Sequence, residues 1–380
     1  MLIYLGLSAL ACFVVALLLA QSVLPASLAA VHLVFATAVM PLIFGAITHF
    51  VPVLTRSGKA HRGVLLAPLV LQGAGFFAVL HFSGEAPVAV LHAAALSVLL
   101  VSIVFAGWLI VRARCTLGKP HPGWRWYLAA IVCLAIALAL VPAMAWWPGA
   151  RNELRLLHLH LNVLGFIGLT AIGTLQVLLP TALNGPDPEA AARLRQQLPH
   201  ALGGVLAVAI GAALWQPLAV IGAAVLLLMA IRLAVSWGRR FGLKAIITDG
   251  AAAALATALA GFIASLLFGV AHALRAVEGR DAVAAYIVLF LFPLVSGALS
   301  QLLPVWRCPG PRTPERQRIK AVLARGGGLR ALCLVVAGTA LSLGIAAGYW
   351  LALGALLSFL AAIAVSYRIH CRKRGGFSGG

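Results

Sequence analysis

Twelve stretches of this chain are apolar over about the length needed to cross a bilayer, and that fixes what it can become. They run roughly over 2–24, 29–54, 64–82, 87–111, 125–147, 156–182, 200–214, 217–237, 246–274, 283–306, 329–347 and 349–369. In lipid each must be a helix, because no water is present to satisfy an open backbone. The composition agrees: 63% of residues are hydrophobic and 9% are charged, and a soluble fold could not bury that much apolar surface. The expected fold class is therefore an all-α integral membrane protein of about twelve transmembrane helices. The first stretch resembles a leader ending near Ala26, but no Lys or Arg precedes it, so it is read as a helix.

Three of the stretches look like copies of one another. They close at Pro52, Pro180 and Pro304, about 126 residues apart. Seven places before each proline is a glycine: Gly45, Gly173 and Gly297. Eleven places before, Pro41 and Pro293 occur in the first and third copies, and twenty places before stand His32, His160 and Ala284. His49 and Gln301 lie three places before the proline, and Gln176 four. This predicts one membrane domain over residues 1–380 in three four-helix units, about 1–120, 121–243 and 244–380. The repeated helix is the second of each unit and stops at its proline. The glycines are read first as allowing close helix packing.

The net charge is +20, and the basic residues fall in alternate loops: Arg56 to Arg62, Arg112 to Lys119, Arg193 and Arg195, Arg239 to Lys244, Arg307 to Arg330, and Arg372 to Arg374. The opposite loops carry few. This pattern predicts a plasma-membrane protein, in a bacterium the inner membrane, with both termini cytoplasmic. It argues against nucleic acid as a partner, because the charges flank spans instead of forming a basic domain. The longest loops, 183–199 and 307–328, are expected to hold turns and short interfacial helices. The six cysteines have no metal spacing, and no disulfide is expected.

Polar side chains inside a membrane need a reason. His32, His81, His92, His158, His160 and His272 all fall at the outer ends of spans, whereas His49 lies near an inner end and His61, His121, His200 and His370 belong to the basic side. Neutral imidazole is the usual protein ligand of haem iron, copper and zinc. Candidate metal ligands are His32, His158, His160 and His92, and candidate cofactor-binding residues are His32, His160, His272 and Asn162. His158 and His160 are about 200° apart around a helix, so both cannot face one metal unless the turn is irregular. Asn162, Gln176 and Gln301 either bond a ligand or bond across helices. No Asp or Glu occupies a span centre, which argues against an ion-coupled transporter.

Twelve spans, four-helix units, and histidines opening helices two and six resemble subunit I of the haem-copper oxidases. The stretch His160-Leu-Asn162-Val-Leu-Gly165-Phe166 through Pro180 resembles helix six of the cbb3-type enzymes, which opens on a copper histidine. The stretch His32 to Gly58 is similar to helix two of the NnrS family, a twelve-span family described as binding haem and copper and as acting against nitrosative stress. The resemblance implies haem b, with copper as a second candidate, and His32 as an axial ligand. Arg151, Arg155, Arg275 and Arg280 would then pair with propionates. It also implies a place in respiratory or nitrogen-oxide metabolism, with the bilayer and other respiratory or cytochrome subunits as partners. Helix ten of the oxidases supplies histidines to both haems, and helix seven a copper pair. Here 284–304 has no histidine and 200–214 has only His200, on the opposite side. Full reduction of oxygen or nitric oxide is therefore not expected. The remaining roles are electron transfer, gas sensing or cofactor handling. A cofactor-free transporter or channel, and a scaffold subunit that kept an oxidase-like fold, are the alternatives.

Overall fold

The computed structural model describes residues 1–21, 28–116, 118–185, 187–310 and 313–370. The expected end of the first span at residue 24 and the basic cluster Arg372 to Arg374 lie outside the described residues. The chain is 87% helical, with no strand among the described residues. Twelve helices are long and apolar enough to cross a membrane: α1 Leu2–Ala20, α2 Leu28–Leu54, α3 Arg62–Phe82, α4 Val88–Arg114, α5 Gly123–Trp146, α6 Pro148–Ala182, α7 Ala190–Leu214, α8 Gln216–Phe241, α9 Gly250–Ala273, α10 Gly279–Arg307, α11 Pro314–Ser342 and α12 Ala347–Tyr367. Successive connections alternate between two ends of the bundle. One end carries His32, His81, His92, His158, His160 and His272, and the other carries most of the arginines.

Three helices form the interior. In α2, α6 and α10 the most apolar window is 61%, 83% and 67% buried, against 33–44% in the other nine. Each of the three is broken by wider π-helical turns toward the histidine end of the bundle: Leu33–Val39, Leu161–Gly168 and Tyr286–Leu291. These wide turns meet. The Phe35 and Tyr286 rings are 6.0 Å apart, and the Tyr286 hydroxyl donates to the Val163 carbonyl at 2.8 Å. Phe44 and Phe166, 5.9 Å apart, continue the contact between α2 and α6.

The outer helices approach closely through glycine. A side chain on Gly75 of α3 would run into the Ala36 carbonyl, and one on Gly261 of α9 into the Leu289 carbonyl, both in wide turns of inner helices. A lipid-immersed bundle has little hydrophobic drive between helices, so such backbone contact is a main source of its cohesion.

Several boundaries differ from those expected. Pro52, Pro180 and Pro304 do not stop their helices but lie inside them, near the ends. Each proline keeps its carbonyl, which accepts from the chain just beyond: Ser57 N–H to Pro52, Gly185 N–H to Pro180 and Cys308 N–H to Pro304, at 2.9, 3.0 and 3.0 Å. In α2 and α6 the reversal passes through a left-handed residue, Arg56 (φ 45°) and Asn184 (φ 56°). Helix α7 starts at Ala190 and α6 at Pro148, well before the apolar signal. Asp249 is not in α9 but caps it, accepting from Ala251 N–H and Ala252 N–H at 3.0 and 2.9 Å. The expected short helix in the loop after α10 is present as Pro314–Ala324. The expectation of no disulfide fails at Cys308, which is disulfide-bonded. Cys12, Cys115, Cys133 and Cys333 are free, and Cys371 lies outside the described residues.

Candidate histidine site

The histidine end is assembled from four helices. His32 closes the first turn of α2 and His158 and His160 the first turns of α6, each just before the wide turns begin. His81 stands at the end of α3 and His272 at the end of α9. His32, His81, His158 and His160 are half-buried and His272 is exposed.

All five rings are held in one way. Nδ1 of His32 faces the Leu28 carbonyl at 2.7 Å, His81 the Ala86 carbonyl at 2.9 Å and His158 the Ala137 carbonyl at 2.8 Å. His160 faces the Leu156 carbonyl and His272 the Val277 carbonyl, both at 2.8 Å. A carbonyl can only accept, so Nδ1 carries the proton in each ring. In a neutral imidazole this leaves Nε2 with its lone pair free. A backbone carbonyl fixing one ring nitrogen is how proteins orient histidines that ligate through the other. At the basic end His200 and His370 face the Gln196 and Arg368 carbonyls in the same way, at 3.0 and 3.2 Å, whereas the Nδ1 of His61 and of His121 accepts from Gly63 N–H and Gly123 N–H, each at 3.2 Å. Burial, and next the charge of Arg195, hold His121 below the ordinary imidazole value of 6.5.

The rings fall into two groups. His32 lies within electrostatic reach of His158 and His81. It also stacks on Phe82, centroids 4.3 Å apart and planes 29° from parallel. His160 lies within reach of His272. The neighbours on α6 thus turn to different partners, as their angular separation requires. His92, half-buried near the start of α4, makes no hydrogen bond among the described residues and joins neither group. Asn162 donates back to the His158 carbonyl at 2.7 Å, so its amide N–H serves its own helix. Among the described residues no group of three or more His, Cys, Asp or Glu converges as a ligand set. The described histidines therefore stand as the two separate groups just given.

Gln176 takes no part here. Fully buried, its Oε1 accepts from Arg193 Nε at 2.9 Å and its Nε2 donates to Gln197 Oε1 at 3.3 Å, which makes it a bond across helices at the basic end. Gln301 likewise donates to the Thr181 carbonyl at 3.4 Å.

Sequence reasoning passed over three features of this end. His81 looked like an ordinary interfacial histidine, since only folding puts it beside His32. Tyr286 ties α10 to α6 at the position where the other inner helices have just passed a histidine. Glu153, in the first turn of the α-helical part of α6, has a buried carboxylate oxygen without a hydrogen-bond partner among the described residues. No known protein-family model matches the chain, and no curated protein matches it.

Proposed function

We propose that the histidine end binds haem b, with copper as a second candidate, in an inner-membrane protein of respiratory or nitrogen-oxide metabolism. One observation carries this: five histidines at one end share a single tautomer and each leaves Nε2 available. The grouping favours haem over a bare metal. Zinc or copper held by protein alone needs three or four donors, whereas haem brings four of its own and needs one or two axial imidazoles. His32 and His158, from different inner helices, would be the first residues to hold haem, with His81 within electrostatic reach of His32. His160 and His272 would be the second.

When bound, the haem would supply one-electron chemistry and a site for a diatomic gas. The chain's own part is to hold and orient. The carbonyls of Leu28 and Ala137 fix the ring planes, Phe82 packs the open face of His32, and the wide turns set where the α6 rings point. Arg151 and Arg155 stand on the same end as cations for propionates. The three wide turns, all a little short of twenty residues before a proline, support reading the chain as three repeated units with an oxidase-like arrangement. Electron transfer, gas sensing or cofactor handling suits paired ligands better than complete reduction of oxygen. The alternate basic loops support cytoplasmic termini.

The test is an absorption spectrum of detergent-purified protein from haem-replete cells, air-oxidised and then dithionite-reduced, with metal analysis of the same sample. We expect a Soret band and sharp reduced α and β bands, lost in His32→Ala and in His158→Ala and retained in His92→Ala. A colourless, copper-free protein overturns the reading.

One observation favours a second reading, a polar conduction path. Among the described residues Thr37 and Thr170 in inner helices have buried hydroxyls without hydrogen-bond partners, and Gln301 a buried Oε1 without one. Unpaired polar atoms at that depth are costly unless water or a solute reaches them. A colourless protein whose stability rises with an added solute would support it.

A further inference from the structure

At the basic end a groove of about 930 Å³ opens on the flank of α8. It is lined by Gly185, Glu189, Arg232, Ser236, Arg239 and Arg240, with Ile231 and Val235 alongside. Its back wall is rigid. Asp187, with only 1% of its side chain exposed, pairs with Arg193 at 2.6 Å and lies 3.8 Å from Arg240. Arg193 in turn reaches Gln176 at 2.9 Å and the Ser236 hydroxyl at 3.5 Å. That network uses up the Asp187 carboxylate. Arg232 and Arg239 form no ion pair among the described residues, and Glu189 is the only acidic residue in the lining.

Arg232 is out of place for a soluble-facing residue. It lies nine residues before the end of α8 at Phe241, about 13 Å along the axis, and it is exposed. The surface beside it is apolar: Ile221, Val225, Leu228, Ile231 and Val235 are all exposed. Ile221, Val225, Leu228, Arg232, Val235 and Arg239 succeed one another at spacings of three and four residues, with Ile231 beside Arg232, so they lie along one flank of the helix. An unpaired guanidinium on the lipid-facing side of a span needs an anion or an escape to the headgroups.

We propose that this groove binds the headgroup of an anionic phospholipid. Arg232 and Arg239 take the phosphodiester, Ser236 and the Gly185 turn edge the pocket, and the acyl chains lie along Leu228, Val225 and Ile221. The apolar flank selects a lipid over a soluble phosphate, which would find no use for it. Basic pockets between transmembrane helices on one leaflet are a known way of holding acidic headgroups.

The experiment uses the full chain, purified and stripped of lipid. Retention of phosphatidylglycerol and of phosphatidylcholine is measured by native mass spectrometry, with and without inorganic phosphate. Wild type should retain phosphatidylglycerol over phosphatidylcholine, and the Arg232→Gln/Arg239→Gln variant should bind it about tenfold more weakly or worse. Arg62→Gln/Arg114→Gln, which removes the same charge elsewhere on the basic end, should bind as wild type does. If the glutamine pair fails to fold, as judged by gel filtration, Arg232→Lys/Arg239→Lys takes its place. Lysine is a point charge without the bidentate fork, so binding weaker than wild type is expected. Equal retention of the two lipids, equal binding by wild type and the groove variant, or displacement of lipid by inorganic phosphate would each overturn the proposal.

Discussion

Gly222 of α8 is a position where a single methyl should be costly. The α7–α8 hairpin turns through Trp215 alone, and six residues into α8 Gly222 faces the backbone of α7. A Cβ on Gly222 would sit 2.6 Å from the Gly204 carbonyl, 2.7 Å from Val208 N and 2.9 Å from the Ala207 methyl. Ordinary contact begins near 3.4 Å, so the helices must separate by about 0.8 Å. No rotamer can absorb this, because two of the three atoms are backbone, and the short turn prevents splaying. Overpacking of this kind costs about 1–3 kcal/mol. Alanine's better helix propensity returns up to about 1 kcal/mol. Gly222→Ala should therefore be destabilised by about 1–2 kcal/mol net. Gly238→Ala, on the same helix with nothing within 4 Å, keeps only the propensity gain and should match or exceed wild type. The assay is the apparent melting midpoint in one detergent at one scan rate, monitored by tryptophan fluorescence. We expect Gly222→Ala to melt roughly 2–6 °C below wild type. A midpoint equal to that of Gly238→Ala would refute the claim that backbone contact holds the hairpin.

Two further outcomes rest on single groups. Tyr286→Phe removes the donor to the Val163 carbonyl and should lower stability by about 1 kcal/mol, with a larger fall in haem retention if the wide turn of α6 sets the rings of His158 and His160. The melting midpoint and the Soret absorbance of one preparation separate the two effects. His121 is held below 6.5 in the fold by burial and by Arg195, so an unfolded chain takes up its proton first as pH falls. Its contribution is complete above pH 6.5 and is lost as the pH drops below that value. His121→Asn keeps a side-chain acceptor for Gly123 N–H, and its melting midpoint should fall less than that of wild type between about pH 7.5 and pH 5, the range in which an ordinary histidine titrates. A parallel decline in the two proteins would remove His121 from the account.

The spans were legible because a bilayer permits one solution to a long apolar run. The kinship of α2, α6 and α10 was hinted at by their shared glycine and proline spacing, since a helix buried on all sides has no polar face to break the pattern. The start of α7 was not legible. Arg193, Arg195, Gln196 and Gln197 read as a short interfacial helix in a loop, yet they open the span itself, and Gln176, Asp187 and Ser236 satisfy Arg193 there. The inner prolines misled for a related reason: a proline near a C-terminus loses one donor, and a left-handed residue beyond it restores the balance of carbonyls. The histidine site was half legible. Position along each span showed which end the rings occupy. Which ring faces which depends on wide turns that no periodicity in the sequence announces.

Those wide turns give the histidine end its freedom. A π-helical turn accommodates one extra residue in an α-helix, which rotates the helical segment before it by about 100° relative to the segment after it. The glycine-bearing halves of α2, α6 and α10 can then keep close packing while their histidine ends are aimed separately. In α6 the segment so placed brings His158 to the Ala137 carbonyl of α5 and within electrostatic reach of His32, with His160 within reach of His272. In α10, which has the wide turn without a histidine, Tyr286 at the same place closes the contact with Val163. A bundle built only for lipid packing has no use for three costly interruptions at one depth. Wide turns of this kind are frequent at functional sites, and here they adjoin the five rings whose Nε2 atoms are left open.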